Sequence, residues 1–322
     1  MKRICIIIWA VLAVFLFEAQ GQNLPKLKKG TSSTSNSENM KTPMDSPKSE
    51  NTSNGKNAGV KAGAMSDFED YVYFIRLSNI TVTAEPGSRA ERIIGGRIWS
   101  YVFTEETTSF ATGFVTSDGY FVTARHVIEP WAYLTDDVSI DDPLLVAAVL
   151  CYEGMGGTIE ATYHIESKTG DRRELYFREF SVSRHRDEEV VYTSTDSDPY
   201  NIRRAMAEND YAFVKLPMSS SLVVNRELST RIPSGTRLEI LGFPYGIGSD
   251  KNNIQPQYTY ATTSNSGLYH GQIPVTGANV EEGNSGGPVF CKKDGQYYVI
   301  GIVSSMFGKH GGVIVPMSQV NF

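Results

Sequence analysis

Cysteine is scarce in this chain, with three in 322 residues. Cys5 lies inside an N-terminal apolar run, so the remainder holds only Cys151 and Cys291 and can form one disulfide at most. An oxidising compartment permits that bond; two separately buried thiols are the alternative, because sequence does not give their separation. Surplus positive charge is also missing. Lys and Arg number 30 against 36 Asp and Glu, a formal charge of −6, which excludes the electrostatic footprint of a nucleic-acid binder. Long hydrophobic runs are absent too: the apolar stretch from Ile4 to Phe17 has 14 residues, short of the roughly 20 that a spanning helix needs.

That stretch has a different use. Lys2 and Arg3 precede it, and Ala19-Gln20-Gly21 offers small residues for cleavage, the pattern of a secretory signal peptide over residues 1–21. Its removal takes the formal charge to −7, leaves no stable membrane span, and places the mature chain in the periplasm or outside the cell. Residues 22–66 follow, with Thr31-Ser32-Ser33-Thr34-Ser35-Asn36-Ser37, scattered lysines and almost no aromatic or β-branched apolar residues. Such a composition predicts a disordered tether, and a folded domain over 67–322.

Within that domain long helical periods are few and short apolar or alternating runs are many, among them Tyr71–Leu77, Ile98–Phe103, Tyr120–Thr123, Tyr211–Leu216, Arg237–Leu241 and Tyr297–Val303. Recurrent short strands between turn signals predict an all-β barrel or sandwich. Phe114-Val115-Thr116 and Tyr120-Phe121-Val122-Thr123 flank Ser117-Asp118-Gly119, a hairpin signal, and the second strand runs directly into His126.

Gly283-Asn284-Ser285-Gly286-Gly287-Pro288 is the most specific motif. At ordinary residue usage, six specified residues arise by chance in a chain this long on the order of once in 10⁵ sequences. The glycines permit a tight turn unobstructed by side chains, so the backbone N–H groups of Gly283 and Ser285 can converge as an oxyanion hole. A serine hydroxyl is a poor nucleophile until a base takes its proton, and the base needs a group that fixes its tautomer. His126, in Thr123-Ala124-Arg125-His126, supplies the base. Asp210, heading the apolar strand Asp210-Tyr211-Ala212-Phe213-Val214-Lys215-Leu216, supplies the acid, and a carboxylate entering a core normally has a polar task.

These motifs, with Leu241-Gly242-Phe243-Pro244-Tyr245-Gly246, Gly301-Ile302-Val303-Ser304 and the closing Gly312-Val313-Ile314-Val315-Pro316, resemble a trypsin-like serine protease over about 114–316. Asn284 and the Gly242-Phe243-Pro244 turn resemble HtrA-type bacterial proteases in particular. The resemblance implies two antiparallel Greek-key β-barrels with the active site in the cleft between them, catalysis by His126, Asp210 and Ser285, and protein or peptide substrates hydrolysed through an acyl-enzyme. It implies no metal and no cofactor. It also places Asn279 at the base of the primary specificity pocket, with Val280 beside it and Glu281 and Glu282 at the rim, and Ser304 against the substrate backbone. A latent protease-fold protein acting as a peptide-binding or regulatory module would carry the same motifs.

Several features depart from the family pattern. HtrA proteases carry a peptide-binding PDZ domain after the catalytic one, whereas this chain has 37 residues after Ser285, which leaves no room for one. Arg92-Ile93-Ile94-Gly95-Gly96 imitates a zymogen activation site, but Asn284 carries no charge to pair with a freed amine, and the segment reads as a strand start. Arg125 stands where alanine is usual and is expected to face solvent, paired with Glu129. The 84 residues between His126 and Asp210 exceed what the family needs, and the runs near Glu160–Glu166 and Arg173–Val182 predict an inserted β-hairpin over about 155–200.

Overall fold

The structure is a computed structural model and describes residues 64–105, 107–134, 142–183, 188–193, 201–205, 210–246, 248–250, 253–277, 281–307 and 311–322. The signal peptide at 1–21 and almost all of the tether at 22–66 lie outside the described residues, as do Asn279 and Val280. The strands in chain order are β1 (Val72–Ala84), β2 (Ile98–Val102), β3 (Phe110–Val115), β4 (Tyr120–Thr123), β5 (Gly157–Ser167), β6 (Arg172–Tyr176), β7 (Ser181–Val182), β8 (Glu188–Thr193), β9 (Asn201–Ala205), β10 (Ala212–Lys215), β11 (Arg237–Gly242), β12 (Ser249–Asp250), β13 (Asn253–Ile254), β14 (Gln257–Thr263), β15 (Ile273–Thr276), β16 (Pro288–Lys293), β17 (Gln296–Phe307) and β18 (Gly311–Pro316). Four short helices join them: α1 (Arg89–Ile94), α2 (Arg125–Ile128), α3 (Pro143–Leu150) and α4 (Arg226–Thr230).

The strands form the two-barrel plan. The second barrel is closed in the order β11-β14-β15-β18-β17-β16, every pairing antiparallel; the jump that seats β16 between β11 and β17 is a Greek-key connection. The first is a half-barrel, an eight-stranded sheet in the order β6-β5-β1-β3-β4-β10-β7 with β2 added to β1. The long β1 is buried along most of its length because it pairs with β5 on one side and with β3 and β2 on the other. β14 instead alternates buried and exposed positions, as a strand with one face on a core must.

The runs expected as an inserted hairpin become β5 and β6, joined at Lys168–Asp171 and built into the first sheet, while β8 and β9 pair as a separate ladder. Arg92–Gly96 is not a strand start. It ends α1, whose N-cap Ser88 accepts from the Glu91 N–H and whose chain turns at Gly95 with φ +64°, the usual cap and stop of a helix. Cys151 and Cys291 are both free: one ends α3 in the first sheet's layer and the other lies in β16 of the closed barrel. Burial pushes the Cys151 thiol up to about 12, far from a reactive thiolate.

Three apolar cores result. One fills the first sheet, one fills the closed barrel, and a third lies between them, built from residues such as Phe74, Phe114, Leu241, Phe243, Phe290 and Ile302. The 3₁₀ segment Met65–Tyr71 closes this seam: Phe68 stacks on Phe290 with ring centroids 5.3 Å apart. Its neighbour Glu69 is buried and accepts hydrogen bonds from Lys168 (2.5 Å) in the first sheet, and from Gln255 (2.6 Å) and Tyr258 in the second barrel's strands and loops. Burial pushes the Glu69 carboxyl up, but these donors outweigh it and hold it below the ordinary value of 4.5. The sign follows: its contribution is present above that ordinary value and is lost as pH falls through the lowered one. Glu69→Ala is therefore expected to cost about 2–3 kcal/mol in urea unfolding at pH 7, with the difference from the unsubstituted protein shrinking at acid pH.

Candidate active site

Each side chain of the site is placed by a strand end. β4 stops at Thr123, and Ala124 begins the single turn α2, which presents His126. Asp210 stands two residues before β10, which pairs with β4, so the neighbouring strands bring the acid beside the histidine. Ser304 comes from β17 of the other barrel, at a bulge where the β17–β18 register shifts between Val303 and Ser305.

Asp210 is 1% exposed. Its Oδ1 accepts the His126 backbone N–H at 2.8 Å, and its Oδ2 accepts both His126 Nδ1 at 2.7 Å and Ser304 Oγ at 2.6 Å. An ionised carboxylate only accepts, so the Nδ1 proton is on the histidine and Nε2 is the nitrogen left for chemistry. Burial alone pushes the imidazole pKa down; the charge of Asp210 and its hydrogen bond outweigh that and raise it above 6.5. For Asp210, burial pushes up, and His126 together with Ser304 outweighs it and lowers the pKa. The Tyr133 ring meets the imidazole edge-on, centroids 5.8 Å apart.

The motif after β15 forms a tight loop. Gly283 has φ +94° and Gly286 φ +83°, and a Cβ on Gly286 would lie 2.1 Å from Thr123 Oγ1, so only glycine fits there. Thr112 of β3, fully buried, ties the loop to the first sheet. Its N–H donates to Ser285 O (2.9 Å), its Oγ1 donates to Gly283 O (2.6 Å) and accepts from Phe243 N–H (3.2 Å), and its carbonyl accepts from Thr123 Oγ1 (2.8 Å). The Tyr245 N–H donates to Glu282 O at 2.6 Å. In a trans peptide C=O and N–H point in opposite directions, so this bond turns the Gly283 N–H away from Tyr245. Among the described residues neither the Gly283 nor the Ser285 N–H has a hydrogen-bond partner. His126, Gly283 and Ser285 line one cleft of ≈ 370 Å³.

The structure thus brings His126, Asp210, Ser285, Gly283 and Ser304 together, while Asn279 is outside the described residues. Arg125 corrects an expectation. It pairs with Glu129, but its side chain is 6% exposed and it also donates to Ser183 O, because the single turn of α2 directs it to Ser183, which is itself bonded to Tyr211 beside Asp210, rather than to water. Asn284 is fully buried, with no hydrogen-bond partner for its side-chain amide among the described residues. Sequence reasoning missed Thr112, Tyr133 and Tyr245; a threonine inside the apolar run Phe110–Val115 was the available sign of the first.

Residues 111–302 match the family model described as the trypsin-like peptidase domain. Among solved structures, the HtrA-type protease AlgW with a decapeptide is similar at 16% identity and a TM-score of 0.42, over 79% of this chain and 62% of that one. AlgW with a tripeptide is similar at 16% identity and a TM-score of 0.39, over 78% and 58%. The chain therefore spans about three fifths of the length of those proteins. Among the described residues no helix is long and apolar enough to cross a membrane.

Thr112→Val keeps the shape of the side chain and removes its hydroxyl, which strands the Gly283 carbonyl and the Phe243 N–H. It is expected to lower unfolding free energy by about 1–3 kcal/mol, read from the urea midpoint.

Proposed function

From the premise that this chain belongs to the trypsin-like peptidase family, we propose that it is an exported serine endopeptidase acting on protein or peptide substrates through an acyl-enzyme. The observation that carries this reading is the buried Asp210 carboxylate, whose bond to His126 Nδ1 fixes the tautomer that a general base requires while its bond to the His126 backbone N–H holds the turn in place.

Ser285 Oγ attacks the scissile carbonyl while His126 Nε2 takes its proton. The oxyanion receives the N–H groups of Gly283 and Ser285, and the Tyr245 bond to Glu282 supports that role by keeping the Glu282 carbonyl turned away from it. His126 then gives the proton to the leaving amine, and water, deprotonated by the same nitrogen, releases the acyl group and restores Ser285. Ser304 donates its hydroxyl to the Asp210 oxygen that also accepts from His126 Nδ1, and the bulge leaves its backbone free of the β18 ladder for a substrate strand. A latent module would require the Gly283 N–H to be turned from the cleft, and the bond made by Tyr245 favours the catalytic reading. Export rests on Lys2, Arg3 and the run Ile4–Phe17, and the mature chain is expected to begin at Gln22 when its intact mass is measured.

With casein as substrate, Ser285→Ala is expected to lose on the order of 10⁶ in kcat, and Asp210→Asn about 10⁴. The pH dependence carries the sign of the ion pair. Activity of the unsubstituted protein should rise through an inflection above 6.5, the ordinary imidazole value, because Asp210 stabilises the protonated form that must be lost. In Asp210→Asn burial acts alone and the inflection should fall below that value. An unchanged inflection would contradict the proposed coupling.

A further inference from the structure

The cleft beside Ser285 has a side that the reaction must use and that none of the motifs describes. Resting on the peptidase reading above, we infer that it is an apolar subsite for the residue immediately after the scissile bond, and that the enzyme selects peptides with an aliphatic or aromatic residue there.

The direction comes from the chemistry. His126 delivers its proton to the leaving amine, so the peptide after the scissile bond must pass on the histidine's side of Ser285. The cleft's walls are on that side. Pro130 and Leu134 come from the segment just after α2, Leu77 from β1 and Ala111 from β3. Among the described residues, none of β16, β17 or β18, where Ser304 stands for the acyl side, lines it.

Its selectivity comes from α3. Asp142 caps this helix by accepting the Leu144 N–H at 2.8 Å, and Pro143 occupies its first turn, a strong start signal. Leu145 to Leu150 are all buried against the first sheet. Leu144, in the first turn, stays partly exposed and lines the cleft with His126 and Ser285. An aliphatic side chain left half in water at the wall of a ≈ 370 Å³ cleft gains by being covered by another apolar group. The charged residues lining the cleft, Asp142 and Glu282, are both acidic, and among the described residues no Lys or Arg lines it. An acidic residue after the scissile bond therefore meets like charge from Asp142 and Glu282.

The test is a library of internally quenched peptides varied only at the position after the cleaved bond, with Ser285→Ala as the blank. The expected result is a preference of at least about tenfold in kcat/KM for Leu, Ile or Phe over Asp and Gly. Leu144→Phe fills the cleft and should shift the optimum to Ala or Val, a gain for small residues that misfolding does not produce. Leu144→Asp should reduce the apolar preference and bring Lys or Arg up. A library that is cut in a Ser285-dependent way with a flat profile at this position, or with a preference confined to the second position, would overturn the subsite alone. A library left uncut would overturn the peptidase reading and the subsite with it.

Discussion

A carboxylate that is 1% exposed cannot be left without donors, and the chain converges on that requirement at Asp210. Its two oxygens are served by a helical N–H and an imidazole that β4 and α2 deliver, and by a hydroxyl that β17 delivers from the other barrel. The two halves of the fold therefore meet at this buried charge, as they do at Glu69. The same bonds that offset its desolvation also fix which imidazole nitrogen faces the cleft. Stability and reactivity here have a single cause: removing the acid would free a histidine to flip and would also cut one of the polar ties across the seam.

The nucleophile loop is held by a complementary device. Its glycines approach the first sheet closer than a Cβ allows, and Thr112 donates, accepts and donates again across the contact. Tyr245 sits at φ +51°, a conformation costly for a side chain of this size, and in that position its N–H reaches Glu282 O while its hydroxyl donates to Glu281 at 2.5 Å. Next to the histidine in the chain, Arg125 pairs with Glu129 and donates to Ser183 O, and the Ser183 N–H in turn donates to Tyr211 O beside Asp210. Around the histidine, then, most of the polar groups are committed to holding geometry, and Ser285, Nε2 and two backbone N–H groups are what remains for a substrate.

How much of this was legible depended on the range of the interaction. His126, Asp210 and Ser285 could be read because each stands in a local motif whose residue types have few other uses together, and β4, β10 and β11 followed from short apolar runs between turns. Arg125 could not be placed, because one turn of helix gives no periodicity and the side chain's fate is set by Ser183, 58 residues away. Arg92–Gly96 reads as a strand start once Asn284 removes the zymogen alternative, whereas the cap at Ser88, four residues upstream of Arg92, decides for a helix. α3 was missed for the opposite reason: it is apolar on all sides, so no face alternates and no period emerges. The hydroxyl of Ser304 reaches Asp210 only through a register shift between β17 and β18, a long-range property that the run Gly301–Ser304 does not encode by itself.

The account stands or falls on whether Ser285 is an activated nucleophile. A fluorophosphonate reacts with a serine only when a base removes its proton and N–H donors receive the developing charge, and it needs no peptide to do so. Incubated with residues 22–322 and mapped by peptide mass spectrometry, the reagent is predicted to leave one phosphonyl group, on Ser285. No adduct on that residue in the folded protein, or an adduct on another side chain, would contradict the triad described here.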